Sequence, residues 1–304
     1  MKLIKKCTII LVSLTLALLS ATVCTAETLY YENGYYYSYI DNDSVKLAGH
    51  SDQIQTIVVP AVMNNRSVVS VANYAFKNDT IITEVDFSKA SNLTEIGLCS
   101  FANCTSLNKK LSIPASIEFI DNCAFENCSS IPEVEITADL LQIPNQCFKN
   151  CTSLRRAKLN DGLEEILNYA FANCNSLEYV LIPASVTYIA PSAFNNDPNL
   201  KIYGFADSYA QTYALEHDIP FVEMVRFMLG DVDGIDGVNI SDATAVQSYL
   251  AELRTLEGIY LLAADANQDD IVDISDATAI QMKLAEYELP YPSGQYVTQE
   301  IVSE

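Results

Sequence analysis

The chain contains no tryptophan and only two histidines in its 304 residues. Large aromatic faces are the usual platform for stacking sugars, so the missing indoles argue against an ordinary carbohydrate-binding module, although tyrosines between Tyr30 and Tyr37 remain available for that role. His50 and His217 fall in opposite end regions and no Gly-x-Ser-x-Gly elbow occurs, so neither a serine nor a cysteine hydrolase finds an obvious general base. Basic residues are scarce as well: 17 Lys and Arg against 39 Asp and Glu give a formal charge of −22. A surface that acidic repels phosphate backbones and anionic lipids, which points away from nucleic acid and towards hard cations. After the first 26 residues, no apolar run reaches the roughly 18 positions that a membrane span needs.

What is present begins with a leader. Lys2, Lys5 and Lys6 precede an apolar run from Cys7 to Leu19 and then Cys24-Thr25-Ala26, the three regions of a secretory signal peptide. Cleavage is expected after Ala26, giving a soluble, exported protein. Val23 is too large for the small residue that normally precedes a lipid-modified cysteine, which disfavours Cys24 as an anchor. Half of the chain is apolar, enough for two folded units.

The chain repeats itself. Phe76, Phe101, Phe125, Phe148, Phe171 and Phe194 follow one another at spacings of 25, 24, 23, 23 and 23 residues. Such a period marks a stacked architecture in which no unit buries its apolar face alone. Within each unit the alternation of Val85 and Phe87, Leu111 and Ile113, Val134 and Ile136, Ala157 and Leu159, Val180 and Ile182 predicts a short strand whose inward side builds a parallel core. Outward positions alternate in sign by row: Glu84 and Asp86, Lys110 and Ser112, Glu133 and Glu135, Arg156 and Lys158, then Tyr179 and Leu181. Either a recognition platform or charge pairing between neighbouring rows accounts for this, and pairing is the simpler reading.

Asn103-Cys104, Asn127-Cys128, Asn150-Cys151 and Asn173-Cys174 form a second ladder, continued by Asn78-Asp79 and Asn196-Asp197. The expected arrangement is an asparagine bonding its turn's backbone above a small buried thiol. Cys99, Cys123 and Cys147 depart from the pattern, and one bridge among them stays open. The Asn-x-Ser/Thr sequons at Asn103, Asn127 and Asn150 read as by-products of the repeat.

The recurring phrase, complete in Ser116-Ile117 through Ala124-Phe125-Glu126-Asn127-Cys128 to Ile131, resembles the leucine-rich repeats of the bacterial surface-antigen type over about residues 54–204. The resemblance implies an α/β repeat solenoid with short parallel strands. Its ends need caps. Residues 27–53, with Asn33-Gly34 between tyrosine-rich runs, read as a hairpin, while Ser208–Ala214 reads as a short helix capped by Ser208 or Asp207 and followed by a closing strand over Ile219–Val222. The solenoid with its caps is expected over 27–224.

Two further segments lie 34 positions apart. Asp231 to Gln247 and Asp265 to Gln281 each read as an acidic loop running into Ile-Ser-Asp-Ala-Thr-Ala-(Val/Ile)-Gln. In the second, Asp265, Asn267, Asp269, Asp273 and Asp276 occupy positions 1, 3, 5, 9 and 12 of a calcium loop, with the Ile271 carbonyl at 7 and Val272 turned to the core. In the first, Asp231, Asp233, Asn239 and Asp242 keep positions 1, 3, 9 and 12, with Gly237 at 7. Position 5 is Ile235 and a carboxylate stands instead at position 6, Asp236, which implies either a distorted loop ligated by Asp236 or a weakened site. The segment resembles a type I dockerin, a small all-α calcium-binding domain that plugs into cohesin modules of scaffoldins, and covers residues 228–289. The resemblance implies two calcium ions and a cohesin-contacting face formed by Ile240, Ser241, Gln247, Ser248 and Glu252 in one half and by Ile274, Ser275, Gln281, Met282 and Glu286 in the other. Residues 290–304 read as a flexible tail.

These readings converge on a secreted, non-catalytic interaction protein of a cellulosome, whose repeats bind an unidentified protein or glycan. A polysaccharide-degrading component, using Glu164 with Glu165 or Glu133 with Glu135, and a plain structural spacer are the alternatives.

Overall fold

The computed structural model describes residues 28–51, 54–290 and 292–300; the expected leader, 1–26, lies outside them. Two compact units are present. One is formed by residues up to Ile202 with Asp207–Phe221, the other by Tyr203–Ala206 with residues from Val222 on.

The first unit is a solenoid. Strands Leu111–Ile113, Glu133–Ile136, Arg156–Lys158 and Tyr179–Leu181 pair in parallel, in the register Leu111, Val134, Ala157, Val180. A second parallel ladder joins Gln142–Ile143, Glu165–Ile166 and Tyr188–Ile189. All ten inward residues named from the alternation, Val85 to Ile182, are buried. The six phenylalanines stack in one column, with centroids between successive rings 4.9, 5.3, 5.6, 5.3 and 5.4 Å apart.

Charge pairing links three of the outward rows. Lys110 Nζ lies 3.0 Å from Glu133 and 2.7 Å from Glu135, and Lys158 Nζ lies 3.6 Å from Glu135. Exposed pairs of this kind contribute at most about 1 kcal/mol each. Their main effect is to keep like charges from facing one another across the ladder.

The asparagines do something other than expected. Each Nδ2 donates to the Oδ1 of the asparagine one coil earlier: Asn103 to Asn78, Asn127 to Asn103 and Asn150 to Asn127 at 2.6 Å, Asn173 to Asn150 at 2.7 Å, Asn196 to Asn173 at 2.8 Å. The bonds thus run between coils rather than to each turn's own backbone. All six positions are left-handed, with φ between 59° and 66°. Asparagine tolerates that geometry and carries both a donor and an acceptor to pass along the stack. The amide nitrogens of the three sequons are occupied in this ladder.

Beneath it, Cys104, Cys128, Cys151 and Cys174 are buried, and each thiol donates to a phenylalanine carbonyl of the preceding coil at 3.1 to 3.3 Å. Aspartates end the column. Asp79 Oδ2 meets His50 Nε2 at 2.6 Å, while His50 Nδ1 lies 2.7 Å from the Ser51 carbonyl, so both ring nitrogens face acceptors. Asp197 Oδ1 accepts from the Cys174 N–H at 2.7 Å, but its Oδ2 is buried without a partner.

The caps follow the turn chemistry. Strands Tyr30–Glu32, Tyr35–Tyr39 and Ser44–His50 form an antiparallel meander, with Asn33 and Gly34 at φ 49° and 92° as a two-residue hairpin requires. At the other end helix α1, Tyr209–Glu216, is capped by the Ser208 side chain, which accepts from the Gln211 N–H. The strand expected over Ile219–Val222 runs instead over Phe221–Met228, and from Val222 on it belongs to the second unit. Pro220 has no N–H to pair; its carbonyl instead accepts from Ile202 at 2.9 Å.

In the second unit helices α2, Ile240–Leu250, and α4, Ile274–Leu284, pack through Ala243, Val246, Ala277 and Ile280, with a shorter helix α3, Ile259–Ala264, leading into the second loop. Residues 290–304, expected as a flexible tail, contain the strand Tyr296–Glu300, paired antiparallel with Phe221–Met228 in the register Met228 to Tyr296 through Met224 to Glu300. Phe227, Leu229 and Ala263 form a small core against which Val297 packs, and Arg226 lies 5.1 Å over the Tyr296 ring. Burial of that apolar edge holds the segment in place.

Burial pushes the Asp197 carboxyl up from the ordinary 3.8 to about 8, only partly offset by the Cys174 N–H. A raised folded-state value means the folded chain holds a proton that the unfolded chain releases, so the solenoid loses stability as pH rises between about 4 and 8. Asp197→Asn is expected to flatten that slope in urea unfolding followed by circular dichroism at several pH values.

Candidate metal loops and docking face

Both loops are shaped by the same bonds. The N–H at position 3 donates to the first carboxylate oxygen at position 12, Asp233 to Asp242 at 3.0 Å and Asn267 to Asp276 at 3.1 Å. The N–H at position 9 donates to the second, from Asn239 and from Asp273, each at 2.8 Å. The position 9 side chain in turn caps the following helix by accepting from the N–H of Ser241 or Ser275, completing a capping box at the start of α2 and of α4. Asp242 and Asp276 are fully buried, and burial pushes both carboxyls up against the opposing pull of these donors.

Left-handed backbone recurs at equivalent places: Gly234 and Gln268 at position 4 (φ 71° and 61°), Asp236 and Asp270 at position 6 (φ 59° and 69°). Gly237 adds φ 69° at position 7 of the first loop. The backbone therefore matches at positions 4 and 6 and differs at position 7. The donors differ as well. At position 5 the Asp269 carboxylate accepts from the Ile271 N–H at 3.0 Å, whereas Ile235 at the same place is an exposed hydrocarbon.

In the first loop, Asp231, Asp233 and Asp242 bring carboxylate oxygens within 4.8 Å of one another. Asp231 Oδ1 is buried and unpartnered, and Asp236 is not part of this group. Three converging carboxylates with an unsatisfied buried oxygen suit a hard divalent cation. In the second loop, Asp265 accepts from the N–H groups of Asp269 (3.1 Å) and Asp270 (3.0 Å), and the Asn267 side chain donates to Asp269 (3.1 Å) and to Ser275 Oγ (2.7 Å). Asp265, Asn267 and Asp269 thus share one network. Ile271 lies in this loop with its side chain exposed, and Val272 packs on the helical core, as does Val238 in the first loop.

The residues expected to contact a partner are solvent-facing. Ile240 and Ile274 are 62% and 60% exposed, an unusual state for isoleucine at a helix start. Ser241, Gln247, Glu252, Ser275, Gln281, Met282 and Glu286 are exposed and Ser248 is half-buried. Sequence reasoning missed helix α3 and the strand Tyr296–Glu300. The apolar run Ile259-Tyr-Leu-Leu-Ala-Ala and the β-prone Tyr296-Val297-Thr298 were the available signals.

The buried position 12 aspartates and the exposed position 5 carboxylate make different contributions. Asp276→Ala strands the N–H groups of Asn267 and Asp273, each worth about 1–3 kcal/mol when left unpaired, so α4 is expected to stay unfolded at any calcium concentration. Asp269→Ala strands the exposed Ile271 N–H and removes one of the two acceptors of the Asn267 amide, which keeps Ser275 Oγ, so it should regain full helicity when calcium is raised. Calcium titrations monitored by circular dichroism distinguish the two.

Comparison with known proteins agrees with this division. Six copies of a BspA type leucine rich repeat region match residues 69–201, and a dockerin type I domain matches residues 229–285. No curated protein matches the chain. Among solved structures, a leucine rich repeat protein from T. pallidum is 20% identical, covering 62% of this chain and 94% of that one with a TM-score of 0.46. One from Eubacterium ventriosum is 18% identical with a TM-score of 0.47, covering 55% of this chain, which spans about half (49%) of that protein's length. The pneumococcal vaccine antigen PcpA is 13% identical, over 59% of this chain and 82% of that one, with a TM-score of 0.27. The chain therefore carries a BspA-type leucine-rich repeat region followed by a type I dockerin domain.

Proposed function

We propose that the protein is a secreted, non-catalytic interaction protein, held on a cellulosome scaffoldin by calcium-dependent binding of residues 228–289 to a cohesin, with residues 27–224 presenting a protein- or glycan-binding surface. A dockerin implies attachment through a cohesin, and leucine-rich repeats imply an interaction surface. The observation that carries the reading is the duplication. Two loops with one hydrogen-bond framework each launch a helix with an exposed Ile-Ser start and an exposed Gln one face along, so the same contacts are offered twice.

Two calcium ions fit the donor sets. Asp231, Asp233 and Asp242 would hold one, with Asn239, Gly237 and Asp236 in the same loop; Asp265, Asn267, Asp269, the Ile271 carbonyl, Asp273 and Asp276 would hold the other. The ion supplies the positive charge that lets clustered carboxylates share a loop.

Of the two carboxylate pairs named for hydrolysis, Glu133 with Glu135 does not suit the role of a general acid. Glu133 and Glu135 both lie against Lys110, and the Lys110 ammonium, aided by Lys158, holds the Glu135 carboxyl below its usual range. A glycosidase acid needs the opposite shift.

Titration calorimetry of the full chain against a panel of cohesins is expected to find a calcium-dependent partner, with binding abolished by a strong chelator and helicity of α2 and α4 lost with it. Absence of any cohesin partner in calcium, or reducing sugar released from plant-wall polysaccharides, would overturn the proposal. Because the two faces match, Ile240→Asp or Ile274→Asp alone should weaken binding by only a few fold, while the double substitution should abolish it.

A further inference from the structure

Seven cysteines lie among the described residues, all as free thiols. Cys104, Cys128, Cys147, Cys151 and Cys174 are buried, and four of them are bonded to main-chain carbonyls. Cys99 and Cys123 differ from the rest. They are half-exposed, they occupy the same register in consecutive coils, and neither is bonded to a main-chain carbonyl.

Equivalence of register rests on the backbone. The Cys99 N–H donates to the Asn122 carbonyl and the Cys123 N–H donates to the Asn145 carbonyl, each at 3.0 Å and each one coil further on. Both residues are left-handed, with φ 48° and 58°, in a column that continues through Tyr74, Gln146 and Tyr169 at 61°, 58° and 58°. The Cys123 thiol has Cys99 as a polar neighbour. Its other polar neighbours are Glu126 and Gln146, whose Oε1 lies 3.9 Å away. Neighbouring chains bonded in parallel register stand roughly 4.7–4.9 Å apart, and a disulfide accepts a Cα separation of roughly 4.4–6.8 Å. Cys147 falls one position out of this column, directly before Phe148, and is fully buried.

We propose that Cys99 and Cys123 are an oxidation site at which a disulfide joins two consecutive coils of the solenoid on its solvent-facing turns, formed by exchange with a small-molecule disulfide. The Cys99 thiolate attacks one sulfur of that disulfide and expels one thiol, leaving a mixed disulfide on Cys99. Cys123 then gives its proton to solvent and its sulfur attacks the Cys99 sulfur, expelling the second thiol. The protein loses two electrons and two protons while one small disulfide becomes two thiols. The order follows from the surroundings: burial first, then Cys99 and Glu126, push the Cys123 thiol up to about 12, so it keeps its proton until the mixed disulfide is in place. The buried thiols share the coil spacing but not the access. Export would supply the oxidising surroundings, yet the chemistry stands apart from localisation.

The test uses the reduced full chain in calcium, incubated with oxidised glutathione, alkylated without denaturant, digested and mapped by mass spectrometry. Before oxidation, Cys99 and Cys123 are expected to take the label; afterwards they should be joined to each other, and the buried cysteines labelled only after denaturation. A stable glutathione adduct on either residue of the unaltered chain, a bridge to Cys104 or Cys147, or two thiols still open to alkylation would overturn the site. Cys123→Ser should keep the parent circular dichroism and trap Cys99 as its glutathione adduct; an unmodified Cys99 in that folded variant would also overturn it.

Discussion

Coils of the solenoid are joined by parallel backbone hydrogen bonds, and that spacing of about 5 Å governs every side chain in the first unit. Whatever a coil presents at a given position must tolerate a copy of itself one spacing away. Phenylalanine does so by stacking, with rings 4.9 to 5.6 Å apart and no more than 16° from parallel. Asparagine does so by giving a hydrogen to one neighbour and accepting one from the other. Cysteine does so by turning its proton to the preceding coil's carbonyl. A charge has no such solution, so Lys110, Glu133 with Glu135, and Arg156 with Lys158 alternate by row. Recognition need not be invoked for a pattern that the spacing itself demands.

The same constraint explains the ends. A terminal coil lacks a neighbour, so its columns must be closed by something outside the repeat. The ring of His50 covers Phe76 at 5.7 Å and the ring of Tyr213 covers Phe194 at 6.1 Å. The cysteine column closes on aspartates, and the two solve their burial differently. Asp79 has a histidine donor and two backbone N–H groups, from Ile81 and Ile82. Asp197 has one N–H and one orphaned oxygen, and burial pushes its carboxyl up to about 8. One aspartate ends the column with both oxygens bonded, the other with one oxygen left without a partner.

How much of this was legible depended on whether a feature repeats. The strand positions, the phenylalanine column and the metal loops recur at fixed spacing, so each copy corrects the reading of the others. The direction of the asparagine bonds was not legible, because identical residues at a fixed period are compatible with bonding within a turn or between turns. Only the bonds themselves, each from Nδ2 to the Oδ1 one coil earlier, distinguish them. The strand Tyr296–Glu300 occurs once, follows prolines and a glycine, and owes its order to a partner some 70 positions earlier, Phe221–Met228, which no local pattern reveals. Ile235 in the first loop was legible as a lost donor, but not that the buried Asp242 bonds and the left-handed positions 4 and 6 persist beside it.

That last point separates two properties that one sequence signature carries. Loop shape in the second unit rests on buried Asp242 and Asp276, which gather backbone N–H groups, and on left-handed residues at positions 4 and 6. None of these involves position 5. Exchanging aspartate for isoleucine there changes what the loop offers a cation while leaving intact the geometry that launches α2 with Ile240 and Ser241 exposed. The two loops are therefore free to diverge in ion affinity while their helices continue to present matching faces. The altered donor set in the first half and the near-identical Ile-Ser-Asp-Ala-Thr-Ala in both halves are what such a separation leaves in a sequence.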